Sequence, residues 1–287
     1  MDLWLTFPLI LLFLTLAFYA LSFVLLQWRV SRHYKMTGGR YAAMGLLGSL
    51  AFIWQIIRTI LKLSWYLLTK NRKGLHPLRS GFGPKVLLIH GLHMNGNCFW
   101  AFRQSLEQAG FRTYSINLGK PYIPVERYIH TLHQVLDKIA NGEKVHLVAH
   151  SMGGLVIRML LNHHPEDARL IASVATLGTP HKGTAIIGDF ALPWLKQLFH
   201  PASPELQTLP DICQMLPNVP VMTLGSRNDL VVYPLKNAMQ PRARQVKLFA
   251  VSHIGLLCEP RVIQKVQRWI QAQQDTDDIG DTPKNPS

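Results

Sequence analysis

Ser151 is the residue in this 287-residue chain whose neighbours most narrow its chemistry. It follows the apolar run Val145, His146, Leu147, Val148, Ala149 and His150, and precedes Met152, Gly153 and Gly154. A buried strand that turns straight into a helix around a serine reads as a nucleophile elbow. The corner is strained, so the positions two before and two after the serine must be small for strand and helix to pass closely. Ala149 and Gly153 fill them, where two glycines are the usual pair. A small-residue turn with an incidental serine is the plainer alternative, because short motifs match by accident. A serine hydroxyl is a weak nucleophile at neutral pH and needs a base. Two later segments offer the groups: residues 219–225 run into Ser226, Arg227, Asn228 and Asp229, and residues 246–251 run into Ser252 and His253. An acid that orients a histidine, which in turn takes the serine proton, is the apparatus of acyl transfer through a covalent intermediate.

Those side chains need a scaffold that brings distant strand ends together. Strands are expected at 86–90, 112–116, 145–150, 170–177, 219–225 and 246–251, with helices at 97–109, 125–141, 152–162, 230–238 and 259–272. Nearly continuous apolar strands alternating with helical patterns predict an α/β fold whose mostly parallel sheet is covered by helices on both faces. In such a sheet, ligand-handling groups sit beyond the carboxyl ends of the strands. The reading places a catalytic domain at 85–272, a basic Gly/Pro-containing linker or poorly formed first strand at 71–84, and a disordered tail at 273–287 with four Asp and two Pro. Within the domain, 181–217 is an apolar insertion carrying Phe190, Leu192, Trp194, Leu195, Leu198 and Phe199. It reads either as ordinary packing on the core or as a lid over an acyl-chain groove.

From about residue 85 to 270 the chain resembles an α/β-hydrolase of the bacterial lipase/esterase type. The resemblance rests on His90 and Gly91 at the end of an apolar run, on Ser151, Asp229 and His253 in that order, and on Ala175, Thr176, Leu177, Gly178, Thr179, Pro180, His181, Lys182 and Gly183. The last segment is similar to the Leu-x-Thr-Pro-His-x-Gly stretch of many lipases and is more specific than the elbow. The resemblance implies the α/β-hydrolase fold in a compact version, its first two antiparallel strands absent or displaced. It implies a triad of Ser151, Asp229 and His253, and an oxyanion hole made by the backbone N–H groups of Leu92 and Met152. Asp211 and Asp189 are rival acids, but both lie in the insertion, whereas Asp229 follows a strand. His150 and His90 become elbow and oxyanion-loop residues, and His163 with His164 a solvated helix end. No cofactor is expected. His90, His93 and Cys98 match no zinc spacing, so no metal is expected either, and no residue set places a calcium ion such as some lipases carry. The activity implied is hydrolysis of carboxylic esters. An acyltransferase would use the same acyl-enzyme with another alcohol, and a non-catalytic member would keep the fold for binding.

Composition points to a bilayer. The chain is 48% hydrophobic and 16% charged, apolar for a soluble protein. Residues 3–26 carry no charge, and as a helix they would extend roughly 36 Å, enough for a hydrocarbon core of about 30 Å. A cleaved signal peptide is the rival, but Asp2 replaces a basic start and no Ala-x-Ala site follows. A second apolar stretch, 41–68, places Gln55, Arg58, Thr59 and Lys62 on one helical stripe, which fits an interfacial helix or a tilted second span. Residues 1–70 therefore read as a one- or two-helix membrane anchor, of bacterial inner-membrane type. The net charge of +14 is concentrated there, with eleven Lys/Arg against one acid in residues 1–85. Juxtamembrane basicity fits anionic lipid, and without a nucleic-acid motif it argues against nucleic acid as a partner. The bias after the first run puts the catalytic domain on the cytoplasmic side if 41–68 does not cross, and on the other side if it does. Cys98, Cys213 and Cys258 give no disulfide framework. The expected partners are a lipophilic ester and the bilayer; the sequence is silent on oligomeric state.

Overall fold

A computed structural model describes residues 82–188 and 191–280, together with 32, 52–55, 57–58, 61 and 76–77. The chain divides into two units, Met1–Ala43 and Met44–Ser287. The apolar run 3–26 lies outside the described residues, as does most of 41–68. Among the described residues no helix is long and apolar enough to cross a membrane.

The second unit is built on one sheet. Its strands are β1 (His76–Pro77), β2 (Lys85–Ile89), β3 (Arg112–Ile116), β4 (Val145–His150), β5 (Ile171–Leu177), β6 (Val221–Ser226) and β7 (Arg244–Leu248). They lie in the order β1-β3-β2-β4-β5-β6-β7, and every pairing is parallel except that of β1 with β3. The expected parallel sheet is thus present, and six of its strands are those read from apolar runs. The seventh, β1, falls inside 71–84, the stretch read as a linker or a poorly formed first strand. Two residues, one of them proline, show no alternation to detect, and proline is tolerated in a sheet at an edge such as this one.

The apolar strands are explained by the layers they separate. Along β2, Leu87 and Ile89 join a core with Tyr128, Leu132 and Leu136 of α2 (Val125–Ala140) and Leu155 and Val156 of α3 (Met152–His163). Val86 and Leu88 face the other way, onto Phe102 and Leu106 of α1 (Trp100–Gln108) and Val262, Val266 and Trp269 of α7 (Pro260–Gly280). Successive strand side chains point to opposite faces, so a strand covered on both sides must be apolar throughout. Helix α2 shows equally local causes. It opens after Pro124 with Glu126 in its first turn, and closes with Lys138 in its last turn and Asn141 in the left-handed conformation, charges and cap that suit the helix dipole and its end.

Three elements depart from the expectation. Residues 230–238 form a loop with a 3₁₀ turn at Leu235–Ala238 instead of a helix, and its helix-like apolar spacing is used to fill a small cluster of Val232, Ala238 and Met239. Strand β7 begins at Arg244, two residues before its apolar part, and ends at Leu248. The terminal helix runs to Gly280, past the expected end at 272.

The insertion folds into three short helices, α4 (Pro193–Phe199), α5 (Pro204–Thr208) and α6 (Ile212–Met215). Leu198, Phe199, Leu206, Leu209, Ile212 and Leu216 pack into the core beside α3. Leu192 stays 62% exposed. Asp189 and Phe190 lie outside the described residues. The root of the insertion is held by Arg158, whose guanidinium is buried and donates to the carbonyl oxygens of His181 (2.7 Å), Leu209 (2.6 Å) and Pro210 (3.0 Å). Burial lowers its pKa to about 10, so it remains a cation at neutral pH, solvated by backbone dipoles in place of water.

Gly153 shows how tightly the elbow is seated. A Cβ there would stand 2.6 Å from the carbonyl oxygen of Ile89 and 2.9 Å from that of His90, both backbone atoms that cannot rotate away. Gly153→Ala is expected to lower stability by roughly 2–3 kcal/mol, the usual cost of overpacking a tight core. An unchanged urea midpoint would contradict this packing.

Candidate active site

The elbow has the geometry its small residues demand. Ser151 stands at φ 53° and ψ −122°, between β4 and α3. Its N–H donates to the carbonyl of Leu177 at the end of β5, 2.9 Å away, and its own carbonyl accepts the N–H of Gly154 at 3.2 Å. A left-handed φ is costly for a residue with a Cβ, so surrounding bonds and packing must hold it. The incidental-turn alternative does not call for such a conformation.

Asp229 and His253, 24 positions apart in the chain, are brought together. The His253 Nδ1–H donates to Asp229 Oδ2 over 2.7 Å, and both side chains are buried. The other carboxylate oxygen accepts the N–H groups of Val231 and Val232, each at 2.8 Å. Asp229 is therefore fully bonded as an anion, and its donors fix which oxygen faces the imidazole. The loops carrying the pair are tied to each other by Ala250 N–H donating to Asn228 Oδ1 at 2.9 Å and Arg227 N–H to the Leu248 carbonyl at 2.9 Å, and the His253 loop is closed on itself by Gly255 N–H donating to Ser252 Oγ at 3.0 Å. Behind the pair, Gly178 sits at φ 58°, where a Cβ would come 3.1 Å from His253 Nδ1 and 3.2 Å from Asp229 Oδ2. Of the rival acids, Asp211 is spent as the cap of α6, sharing a capping box with Gln214.

Two histidines that sequence reasoning left as motif residues have defined work in this arrangement. His150 is fully buried, and its Nε2–H donates to the backbone carbonyl of His253 at 3.1 Å, with the two rings 4.6 Å apart. It therefore holds the segment that carries the proposed base. His90 donates from Nδ1 to the Gly91 carbonyl at 2.8 Å and accepts the Leu118 N–H at Nε2 over 2.9 Å. The Gly91 carbonyl and the Leu92 N–H belong to one trans peptide and point in opposite directions. His90 thus aims the Leu92 N–H away from itself. Gly91 abuts Ser151 closely enough that a Cβ on it would meet the serine Cβ at 2.9 Å. Their positions next to Gly91 and Ser151 were the only signal in the sequence.

On the other flank, Trp194 pins the insertion to the loop after β3. Its Nε1–H donates to the Ile123 carbonyl at 2.8 Å, and its ring meets Tyr122 edge-on at 5.3 Å. Tyr122 in turn bonds through its hydroxyl to His93 Nε2 at 2.7 Å. Both Tyr122 and His93 have positive φ, 61° and 59°, so two strained loops meet beside the Gly91 peptide. The pair His163 and His164 lies away from this region. His164 bonds Glu166 and stacks on His133 with ring centres 4.2 Å apart, while His133 bonds Asp167.

Burial makes three histidines, His90, His150 and His181, neutral groups of low affinity for protons. Burial lowers the pKa of His90 to about 4, against a smaller opposing contribution from its bond to Gly91. It also pushes His150 and His181 well below the ordinary value. The unfolded chain takes up protons near pH 6.5, where the folded chain does not. Stability is therefore complete above that pH and is lost as pH falls from 6.5 toward 4. His90 alone is expected to contribute roughly 3 kcal/mol to that loss. Urea midpoints measured between pH 7.5 and 4.5 check it, and a flat profile would contradict neutral burial.

Comparison with known proteins agrees with the fold. Residues 86–269 match the Alpha/beta hydrolase family. Over 123 residues the chain is 35% identical to a triacylglycerol lipase of Pseudarthrobacter phenanthrenivorans, covering 39% of this chain and 37% of that protein. A triacylglycerol lipase of Burkholderia plantarii is also 35% identical over 123 residues, 39% of this chain and 33% of its own length. The matched region thus spans about a third of these relatives. The solved structure of mature Bacillus licheniformis lipase BlEst2 shares the fold with a TM-score of 0.56 at 19% identity, over 69% of this chain and all but 1% of that one. A parallel sheet with a strained serine between β4 and α3, and a match over most of the catalytic unit, have one reading: the chain belongs to the alpha/beta hydrolase family.

Proposed function

We propose that this protein is a serine hydrolase of carboxylic esters, held at a membrane and acting on lipids or other lipophilic esters. The observation that carries the reading is the buried Asp229–His253 bond, its histidine tied through its carbonyl to His150, the residue before the serine of the strained elbow. Lipase relatives support the ester class, and the uncharged run 3–26 supports the membrane setting.

In this reading Ser151 Oγ attacks the ester carbonyl carbon while His253 Nε2 takes its proton. Asp229 keeps the His253 proton on Nδ1 and stabilises the imidazolium that forms. The carbonyl π pair moves onto oxygen, and the N–H groups of Leu92 and Met152 receive that negative charge, each such donor being worth roughly 3 kcal/mol of barrier. Collapse expels the alkoxide, which leaves with the proton held by His253. Water then gives a proton to His253 and adds to the acyl-enzyme, and the second collapse releases the carboxylic acid and restores Ser151.

A fluorophosphonate probe and an ester panel of graded acyl length test the proposal together. Labelling of the wild-type protein that disappears in Ser151→Ala, with turnover of lipophilic esters, is the expected result. A folded wild-type protein that neither labels nor turns over any ester would leave a binding protein on a hydrolase fold. Ester product in place of acid, when an acceptor alcohol is added, would identify an acyltransferase.

A further inference from the structure

The segment 52–61 belongs to the same unit as the catalytic domain, and the two described members of its polar stripe, Gln55 and Arg58, are placed differently. Residues 52–55, 57, 58 and 61 are helical. Phe52 is 3% exposed, and Gln55, one of the residues of the polar stripe, faces the domain. Its Nε2–H donates to Glu259 at 3.0 Å, and its Oε1 accepts the Ser252 N–H at 3.4 Å. Ser252 directly precedes His253, so the segment is fastened to the loop carrying the proposed base. The face left outside holds Trp54 (64% exposed), Ile57 (39%) and Leu61 (65%), with Arg58 exposed among them. At 100° per residue these four positions fall within one side of a helix, opposite Phe52.

Of the five other large exposed apolar side chains among the described residues, four fall in a pattern and Phe82, just before β2, stands outside it. Tyr122 follows β3, Leu192 follows β5, Val231 follows β6 and Phe249 follows β7. All four lie on connections that leave the carboxyl ends of parallel strands, the end at which Ser151 follows β4. An apolar surface of this kind, interrupted by one cation, is unfavourable against water. It suits the interfacial zone of a bilayer, where tryptophan and aliphatic side chains enter the headgroup boundary and arginine meets lipid phosphate.

We propose that the Trp54, Ile57, Arg58 and Leu61 face is a membrane-contact surface for anionic phospholipid, which lays the carboxyl end of the sheet against the bilayer so that substrate enters from the lipid phase. The occupant is chosen by charge: eleven Lys/Arg against a single acid precede residue 86, and Arg58 stands inside the apolar face. The surface rests on the ester-hydrolase reading only for how lipid substrate would reach the site.

The test uses the full chain reconstituted in phosphatidylcholine vesicles with and without phosphatidylglycerol. A benzophenone amino acid replaces Trp54, Ile57 or Leu61, or, as the comparison, Lys144 at the amino end of β4. Irradiation is expected to give lipid adducts at the first three positions, on the order of tenfold above position 144, and more with phosphatidylglycerol present. Adducts confined to the chain itself or to a second copy, or equal lipid labelling at 144, would overturn the proposal. A Trp54→Glu, Leu61→Glu double variant adds a second readout. Hydrolysis of a vesicle-borne long-chain ester is expected to fall about tenfold, with a soluble short-chain ester turned over as before; equal rates on the vesicle-borne ester would overturn the surface. Lipid adducts do not depend on activity, so failure of the ester-hydrolase reading would show separately, as absence of turnover on both esters.

Discussion

Ser151→Ala is expected to reduce ester turnover by about a million-fold while leaving the protein folded, because in the proposed triad nucleophile, base and acid act as one unit and removal of any one disables the others. The elbow makes a sharper version of the experiment possible. Ser151 is held at φ 53°, ψ −122°, a conformation that costs a side-chain-bearing residue on the order of 1 kcal/mol or more and glycine much less. Ser151→Gly should therefore be as inactive as Ser151→Ala yet more stable than wild type by about 1 kcal/mol. Thermal unfolding of the two variants beside a p-nitrophenyl ester assay reads both quantities. Activity retained in clean Ser151→Ala protein would remove the serine from its role. A glycine variant less stable than the alanine variant would mean the turn is not strained.

Asp229→Asn comes second in expected size. The carboxylate receives Nδ1–H of His253 on one oxygen and two backbone N–H groups on the other. An amide can keep the backbone bonds on its oxygen, but then its NH₂ faces the imidazole and requires an unprotonated Nδ1. The proton moves to Nε2, the nitrogen that must accept from Ser151. Turnover is expected to fall about ten-thousand-fold at neutral pH, with little change in fold. The tautomer can be read by nitrogen NMR of labelled histidine. A loss of less than about tenfold would return the choice of acid to other residues in the chain.

Much of this architecture could be read from local pattern. The runs around Val86, Val145 and Ile171 are apolar at every position, which a parallel strand between two helical layers requires and a half-exposed strand does not. The small residues Ala149 and Gly153 announced the corner at Ser151, since they are there to let backbone pass backbone. Where the reading failed, the pattern was serving another purpose. Residues 230–238 have the spacing of a helix, but their apolar side chains fill a cluster beside β6. His76 and Pro77 pair with β3 in a stretch too short to alternate, so the pattern left linker and poorly formed strand both open. His90 and His150 carried no sign of their tasks, because a buried histidine acquires a function only from the carbonyl or N–H that the fold places next to each nitrogen.

Sequence alone determined the order of the candidate groups: an elbow serine, then an acid, then a histidine, each at the end of an apolar run, in a family whose sheet gathers such ends on one side. It also located the basic and uncharged N-terminal region, since charge and hydropathy are additive properties of residues. Tertiary structure decided which acid meets the histidine, at 2.7 Å and shielded from water, and that His150 and His90 brace the base and the Gly91–Leu92 peptide. It alone showed that Gln55 turns inward to Ser252 and Glu259 while Trp54, Ile57 and Leu61 turn outward. The physical reason is the range of the forces. Strand and helix preferences, and the crowding at an elbow, act between near neighbours in the chain. Hydrogen bonds and burial act between atoms that only the closed sheet, its crossovers and its long-range packing bring within reach.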